Sequence, residues 1–157
     1  MGEPEETYVI NQPGSRQELI EQLNVELLRI AEKIADKSDI GKLVNRGDAA
    51  TWDFELADFT TDTAWHRLDL SSIVPSDAIM VKLFVRIKDG AIDSYILFRK
   101  RGNAYSYNRS ELRTQVANQF TSGDIDVFCD SNQVIEYYGS NLTFTKIDVT
   151  VKGWVLG

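Results

Sequence analysis

Residues 79–88 read IMVKLFVRIK, and this stretch decides the fold class of the chain. From Ile79 to Ile87, Ile, Val and Leu occupy every second position, whereas Met, Lys, Phe and Arg stand between them. A period of two places successive side chains on opposite faces of a β-strand. The stretch therefore predicts a strand with one face buried in a hydrophobic core and one mixed face.

The residues that follow predict more strands. Asp89-Gly90 predicts a hairpin turn after the first strand, and turn-forming residues at 130–132 and 139–141 separate the later segments. These later strands are predicted over residues 94–99, 125–129, 133–138 and 142–156. Several short strands at this spacing are typical of an antiparallel β-sandwich or jelly roll, which we assign to residues 65–157.

A connecting segment, residues 39–64, stands before this β-rich part. Gly-Asp and Thr-Thr-Asp sequences within it indicate turns, and the residues Phe54–Phe59 predict a strand between them. Arg46-Gly47-Asp48 matches a tripeptide of cell-adhesion ligands. A three-residue match often arises by chance, and a Gly-Asp turn explains this one.

The segment SRQELIEQLNVELLRIAEKIADK, residues 15–37, predicts an α-helix that covers residues 15–38. Ser15 and Glu18 form an S-x-x-E capping box, in which each side chain accepts a hydrogen bond from a free backbone N–H at the helix start. The helix interior is rich in good helix formers and lacks Gly and Pro. The predicted fold class is therefore mainly β with one N-terminal α-helix.

Five apolar residues of this helix recur at steps of three and four, as the a and d positions of a coiled coil do. They are Ile20, Leu23, Leu27, Ile30 and Ile34. Leu at an a position and Ile at a d position in the middle of this seam disfavour dimers and favour three or four chains. We therefore expect residues 15–38 to be an oligomerisation helix that joins the chain to copies of itself, as a homotrimer.

A second arrangement stays open, in which the helix packs on the β-domain of its own chain. Leu19, Val25 and Leu28 widen the apolar surface beyond the seam. A wide apolar stripe is typical of a helix that covers a globular core, and also of a bundle of more than two helices.

Residues 1–14 predict an extended arm, because Pro4, Pro13 and Gly14 oppose helix formation. The apolar trio Tyr8, Val9 and Ile10 is suited to add as a short strand to a neighbouring sheet edge, so we expect it to attach the chain to a larger particle. A frayed chain end is the alternative interpretation.

Composition excludes several classes of partner. The net charge of −7 argues against nucleic acid, since phosphate neutralisation requires a basic face. No apolar run approaches the roughly 18 residues that span a membrane, so no membrane partner is expected. The single cysteine, Cys129, excludes an internal disulfide framework and fits a chain made in a reducing cytosol.

No catalytic or metal site is expected, and no cofactor. His66 lies near Asp69 and Ser71, so a Ser-His-Asp arrangement is conceivable, but no nucleophile elbow accompanies it. Asp124, Asp126 and an Asp at position 130 offer calcium-binding oxygens. They flank an apolar strand without an EF-hand-like loop, so an outward-facing acidic surface is the preferred interpretation.

Aromatic residues are the better indication of a binding function. Four tyrosines lie at or near predicted turns and strand ends, and Trp52, Trp65 and Trp154 are placed similarly. Aromatic faces next to Asn, Asp and Arg can hold a sugar ring, although core packing and subunit contact compete for the same residues. The alternative function is therefore a carbohydrate-binding module for a host-surface glycan, with contacts from Tyr105, Tyr107, Tyr137 and Tyr138.

The chain from residue 65 onward also resembles a β-domain of bacteriophage virion accessory proteins. The resemblance rests on WHRLDLSSIVP at 65–75, FRKRGN at 98–103, RTQVAN at 113–118 and IDVTVKGW at 147–154. The opening TYVINQP at 7–13, followed by a capped helix, is similar to the start of small phage fibre or head-decoration proteins.

This resemblance implies a non-enzymatic structural protein of the virion, made in the bacterial host cytoplasm. Proteins of this kind are typically homotrimers, in which an N-terminal segment attaches to other virion proteins and a β-domain projects outward. No binding residues of the family map onto this sequence.

Overall fold

The computed structural model describes residues 14–157, which divide into two units at the bond between Ser38 and Asp39. The described part of the first unit is one helix, α1, Arg16–Ser38. Its bounds agree with the helix that the capping box and the helix-forming interior predict. The expected arm, including Tyr8, Val9 and Ile10, lies outside the described residues apart from Gly14.

The second unit is a sandwich of two antiparallel sheets. Its strands are β1 Leu43–Asn45, β2 Phe54–Glu55, β3 Trp65–Asp69, β4 Ala78–Asp89, β5 Tyr95–Lys100, β6 Ser110–Arg113, β7 Thr121–Phe128, β8 Val134–Gly139 and β9 Phe144–Leu156. The first sheet has the order β1-β9-β4-β7, with β2 also paired to β9, and the second has the order β3-β8-β5-β6. The predicted fold class, a mainly-β sandwich preceded by one helix, is confirmed.

The core lies between the two sheets, and β4 contributes to it as its alternation predicts. Val81, Leu83, Val85 and Ile87 are fully buried. Ile79 is exposed, because the pairing of β4 with β9 shifts register between Ala78 and Met80. Such an irregularity changes which side chains point inward. Four further strands contribute inward side chains to the core. They are Ile125 and Val127 of β7, Ile147, Val149 and Val151 of β9, Ile96 and Phe98 of β5, and Ile135 of β8.

The hairpin predicted at Asp89-Gly90 is wrong. Strand β4 pairs with β7 and β9, whereas β5 pairs with β6 and β8 in the other sheet. The chain therefore crosses between sheets after β4 instead of turning back beside it. A five-residue connection, residues 90–94, makes this crossing. A true hairpin loop, residues 101–109, joins β5 to β6 within the second sheet.

A buried carboxylate holds the crossing in place. Asp89 accepts hydrogen bonds from the Ser94 hydroxyl, from the Asn141 amide at 2.9 Å and from the Gly90 N–H at 2.6 Å. Burial alone would raise the pKa of Asp89, but these hydrogen bonds and one from Thr143 outweigh burial and lower that pKa. The ionised carboxylate thus ties the β4–β5 crossing to the β8–β9 connection.

The connecting segment, residues 39–64, contributes β1 and β2 to the first sheet. The predicted strand over Phe54–Phe59 is too long, because only Phe54–Glu55 is strand and Leu56–Asp58 is a 3-10 helix. The Asp58 carboxylate accepts the Glu55 N–H at 2.8 Å, which stabilises the turn. Side-chain capping of this kind competes with strand pairing.

Candidate functional site

The helix seam is the first candidate site, and its start is well determined. The Ser15 N–H donates to Glu18 Oε2 at 3.1 Å, and the Glu18 N–H donates to Ser15 Oγ at 3.2 Å. This is the reciprocal capping box that the sequence predicts. At about 1.5 Å per residue, the 23 residues of α1 extend about 35 Å.

All five predicted oligomerisation residues are exposed: Ile20, Leu23, Leu27, Ile30 and Ile34. Three further apolar residues of the helix, Leu19, Val25 and Leu28, are exposed as well. Among residues 14–38 there is no second element that could bury them. The described part of this unit therefore has no core of its own in which these side chains could be buried.

Two of the predicted glycan contacts, Tyr105 and Tyr107, lie in the β5–β6 hairpin loop. Their side chains are 77% and 96% exposed. Shallow clefts of about 540 and 620 Å³ adjoin them, lined also by Asn103, Asn108 and Arg109. Aromatic faces with amide and guanidinium groups beside them can recognise a polar ring or a peptide.

The other two tyrosines occupy different positions. Tyr137 is 3% exposed, its ring packs edge-on against Phe59 at 4.8 Å, and its hydroxyl accepts the Thr60 N–H at 2.8 Å. A ring in this position offers no face to a glycan, so the expectation for Tyr137 is corrected. Tyr137 is buried because it occupies an inward-facing position of β8. Its place near a turn in the sequence did not reveal this burial.

Tyr138 belongs to a row of aromatic rings on the outer face of the second sheet. Its ring lies 5.5 Å from Trp65 and stacks on Tyr95 at 6.2 Å. The Arg99 guanidinium lies 3.8 Å from the Trp65 ring, and that of Arg113 lies 4.7 Å from the Tyr95 ring. Tyr138 thus stacks on Tyr95 and makes a tilted contact with Trp65, and two guanidinium groups lie over the outer rings, which stabilises this face.

A groove on the first sheet brings Trp52 into a setting that the sequence did not predict. Trp52 stacks on Phe84 with ring centres 6.0 Å apart and planes 16° apart. Together they line a groove of about 950 Å³ with Gly47, Ala49, Ala50, Thr51, Glu55, Thr150, Val151 and Lys152. Trp52 was singled out as an aromatic near a turn, but its partner, Phe84, lies on a distant strand.

The Arg46-Gly47-Asp48 tripeptide borders this groove, and its arginine is engaged within the fold. Arg46 forms an ion pair with the buried carboxylate of Asp53 and donates to the Val151 carbonyl at 3.3 Å. An adhesion motif needs a free guanidinium. In this structure, that of Arg46 holds the loop to the sheet.

The conceivable catalytic residues are not assembled into a triad. His66 Nε2 lies 2.6 Å from Asp62 Oδ1, and this hydrogen bond lowers the pKa of Asp62. Asp69 instead accepts the Ser71 N–H at 2.9 Å, and hydrogen bonds from Ser71 lower its pKa. The aspartate and serine next to His66 in sequence are thus paired with each other.

The three aspartates considered for calcium each have a cationic partner. Asp124 pairs with Lys152 at 2.7 Å, and Asp126 pairs with Lys82 at 2.6 Å. Asp130 pairs with Arg101 at 3.0 Å and also accepts two backbone N–H groups, which lower its pKa although burial opposes them. In the part of the chain that the structure describes, no group of three metal-ligating side chains is close enough to hold an ion.

Cys129 is buried, and its thiol donates to the Ala78 carbonyl at 3.2 Å. Burial raises the pKa of the Cys129 thiol, which keeps it protonated and unreactive at neutral pH. Across residues 14–157, no helix has the length and apolar character needed to cross a membrane.

No protein-family model matches this chain, and a comparison with curated proteins finds no match either. Function therefore rests on the residues and geometry described above.

Proposed function

We propose that this chain is a non-enzymatic structural protein that assembles as a homotrimer through α1 and presents its β-sandwich to the surroundings. The observation that carries the proposal is the exposed seam, in which all five a and d positions of the helix are open to solvent. An apolar seam at a 3.5-residue spacing is buried when copies of the same helix pack together.

The energetics of a lone helix support association. Isolated helices of this length are marginal in water, because nucleation is costly and few tertiary contacts repay it. Each Leu or Ile removed from water contributes about 1.5–3 kcal/mol. Five such residues in each of several chains are enough to hold a short bundle together, and the capping box adds local stability at its start.

Three chains are favoured over two by the identity of the seam residues. Leu27 at an a position and Ile30 at a d position fit larger assemblies better than a parallel dimer. The exposed Leu19, which directly precedes the first seam residue, also suits a bundle whose helices bury a wider stripe.

Light scattering across a range of protein concentrations tests the trimer. We expect a mass three times the 17.8 kDa of one chain. The Leu27→Asp variant should dissociate to monomers, because a carboxylate at an a position cannot be buried without a partner. A strictly monomeric wild-type chain would contradict the proposal.

Leu28→Asp is the matched control. Leu28 is the next residue along the same helix and is equally exposed, at 65% against 62% for Leu27, but it lies outside the seam. The control variant should remain trimeric or weaken the trimer much less. Equal dissociation of both variants would indicate a broad apolar contact, such as packing of α1 on a β-domain, instead of a coiled-coil seam.

We further propose that the trimer is a short fibre or capsid decoration of a bacteriophage, attached to other virion proteins by residues 1–14. The resemblance in the sequence from residue 65 onward supports this location. Deletion of residues 1–14 should abolish binding to purified particles and leave the trimer intact. A truncated trimer that still decorates particles would refute the attachment role of Tyr8, Val9 and Ile10.

A second candidate function is contact with a host-surface glycan through the β5–β6 hairpin loop. The exposure of Tyr105 and Tyr107 together in one loop favours it, since exposed apolar groups that lie together can mark a binding surface. On a glycan array, Tyr107→Ala should lose binding. Leu142→Ala, which also removes an exposed apolar side chain, should keep it. No binding by the wild-type trimer would exclude this function.

A further inference from the structure

The groove beside Trp52 is produced by an interruption at the edge of the first sheet. Strands β1 and β2 both pair with β9, but residues 46–53 between them leave that strand. Backbone hydrogen bonds fix both ends of this loop, from the Arg46 N–H to Lys152 O at 3.0 Å and from the Asp53 N–H to Val149 O at 3.0 Å.

Side chains replace the missing strand at the centre of the gap. The Asp53 carboxylate accepts the Val151 N–H at 2.7 Å, and the Arg46 guanidinium donates to the Val151 carbonyl at 3.3 Å. The same two side chains pair with each other. On this side of β9, both backbone groups of Val151 are therefore satisfied without a strand, so the gap is stable and closed to further pairing at this point.

Trp52 is held against the outer face of the sheet by two side chains of β4. Phe84 stacks on it, and the Arg86 guanidinium lies 4.7 Å from the centre of its ring. Arg86 is itself fixed by two hydrogen bonds to the buried Asp148 carboxylate, at 2.9 and 2.7 Å, and lies against the ring of Phe120. A wall anchored in this way is formed before any ligand binds, which reduces the entropy lost on binding.

The lining of the groove combines two aromatic rings with a few polar groups. Thr51 and Thr150 supply hydroxyls, Glu55 supplies a carboxylate and Lys152 an ammonium group. The volume of about 950 Å³ is within the range of small-molecule sites, which are typically apolar with a few polar groups that fix orientation. Glu55 and Lys152 give the lining no formal net charge, and the Lys152 ammonium is also paired with Asp124 at 2.7 Å, so the lining offers an anion no unpaired cation.

A neutral sugar fits this combination better than a charged or wholly apolar ligand. The apolar face of a pyranose ring packs on an aromatic ring, and its hydroxyls require donors and acceptors around the edge. Glu55 accepts, Lys152 donates, and the threonine hydroxyls do both. A purely apolar ligand would desolvate these polar groups without offering them hydrogen-bond partners, at a free-energy cost.

We propose that this groove binds a neutral oligosaccharide, with one sugar ring packed against Trp52 and Phe84 and its hydroxyls bonded to Glu55, Lys152 and the threonines. The site is separate from the trimer seam and from the hairpin tyrosines. It needs neither of the functions proposed above.

Fluorine NMR of the full-length chain labelled with fluorotryptophan tests the site. The chain has three tryptophans, of which only Trp52 lines the groove. We expect millimolar maltotriose, cellotriose or N,N′,N″-triacetylchitotriose to shift the Trp52 resonance saturably and to leave those of Trp65 and Trp154 unchanged. Tyr107→Ala should have no effect on this shift, which separates the groove from the hairpin loop.

Two groove variants and one control complete the experiment. Ala50→Phe adds a ring at an exposed lining position without removing a contact and should weaken binding at least tenfold. Glu55→Gln removes a charged acceptor and should also weaken it about tenfold, a loss of about 1.4 kcal/mol. Ala57→Phe adds the same ring at an exposed position outside the lining and should bind as the wild type does.

Three results would overturn the proposal. One is the absence of a Trp52 shift with all three sugars. Another is unchanged binding in Ala50→Phe. The third is a Trp52 shift that depends on protein concentration without sugar, because the occupant would then be a second copy of the chain.

Discussion

The helix and the sandwich use similar apolar side chains in opposite ways. In α1, eight Leu, Ile and Val side chains are exposed. In the sandwich, β4 and β9 alone bury seven such side chains between the sheets: Val81, Leu83, Val85, Ile87, Ile147, Val149 and Val151. The sandwich therefore contains its own core, whereas the helix has an apolar surface without a core in the described part of its unit. The stability of the sandwich should be independent of protein concentration, and that of the helix should depend on it.

The largest expected effect is in the core of the sandwich. Phe98 is fully buried, so Phe98→Ala should lower the free energy of unfolding by about 3–5 kcal/mol, through lost burial and a residual cavity. Phe128→Ala, at a half-exposed phenylalanine of β7, should cost much less. Denaturant unfolding followed by tryptophan fluorescence measures both. Equal losses would mean that burial between the sheets does not determine how much a phenylalanine contributes to stability.

The second prediction concerns the buried Asp89 carboxylate, which links the β4–β5 crossing to the β8–β9 connection. Asp89→Asn should cost about 3 kcal/mol at neutral pH, because it removes a buried carboxylate that accepts several hydrogen bonds. Asp126→Asn, at an exposed ion pair with Lys82, should cost under about 1 kcal/mol. Similar losses in both variants would contradict the role given to Asp89.

The pH dependence follows from the lowered pKa of Asp89. Its contribution to stability is complete above the ordinary aspartate pKa of about 4 and is lost as the pH falls through the lower, folded value. Unfolding free energies measured from neutral pH into this acidic range should therefore fall more steeply for the wild type than for Asp89→Asn. Parallel curves would show that other carboxylates, such as Asp130, account for the acid sensitivity.

The third prediction concerns the edge of the sandwich at Gly153. A Cβ added there would lie 2.2 Å from the Val44 carbonyl oxygen, so β1 could not pair with β9 unless the backbone moved. Gly153→Ala should cost roughly 2 kcal/mol, as overpacking does. Faster hydrogen exchange should be confined to the β1–β9 pairing. Gly102→Ala, in the open hairpin loop at a positive φ, should leave that exchange unchanged.

The smallest effect is expected at the start of the helix. Ser15→Ala removes one half of the capping box and should cost about 1 kcal/mol of helix stability. Because the helix is expected to form together with the trimer, the loss should appear as a lower, concentration-dependent melting temperature by circular dichroism. A melting temperature of α1 that does not change with concentration would argue that the helix is stabilised within one chain.

The accuracy of the sequence-based predictions depended on how local the relevant contacts are. The helix, its cap and the strands with clear alternation were predicted because their signals lie within a few residues. The short polar strand β6 was not predicted, since Ser110–Arg113 shows no apolar alternation and its pairing with β5 comes from the hairpin. The turn at Asp89-Gly90 was assigned to a hairpin because a local pattern cannot tell which sheet the next strand joins.

The sequence by itself determined the helix, the strands with clear alternation, which face of β4 is buried and where the apolar seam of α1 lies. Only the tertiary structure decided the order of the strands, the burial of Tyr137 and the groove of Trp52. The physical reason is the distance along the chain between the interacting groups. Asp53 meets Val151 across 98 residues, and Asp89 meets Asn141 across 52. Periodicity and local propensity carry no information about contacts of that range.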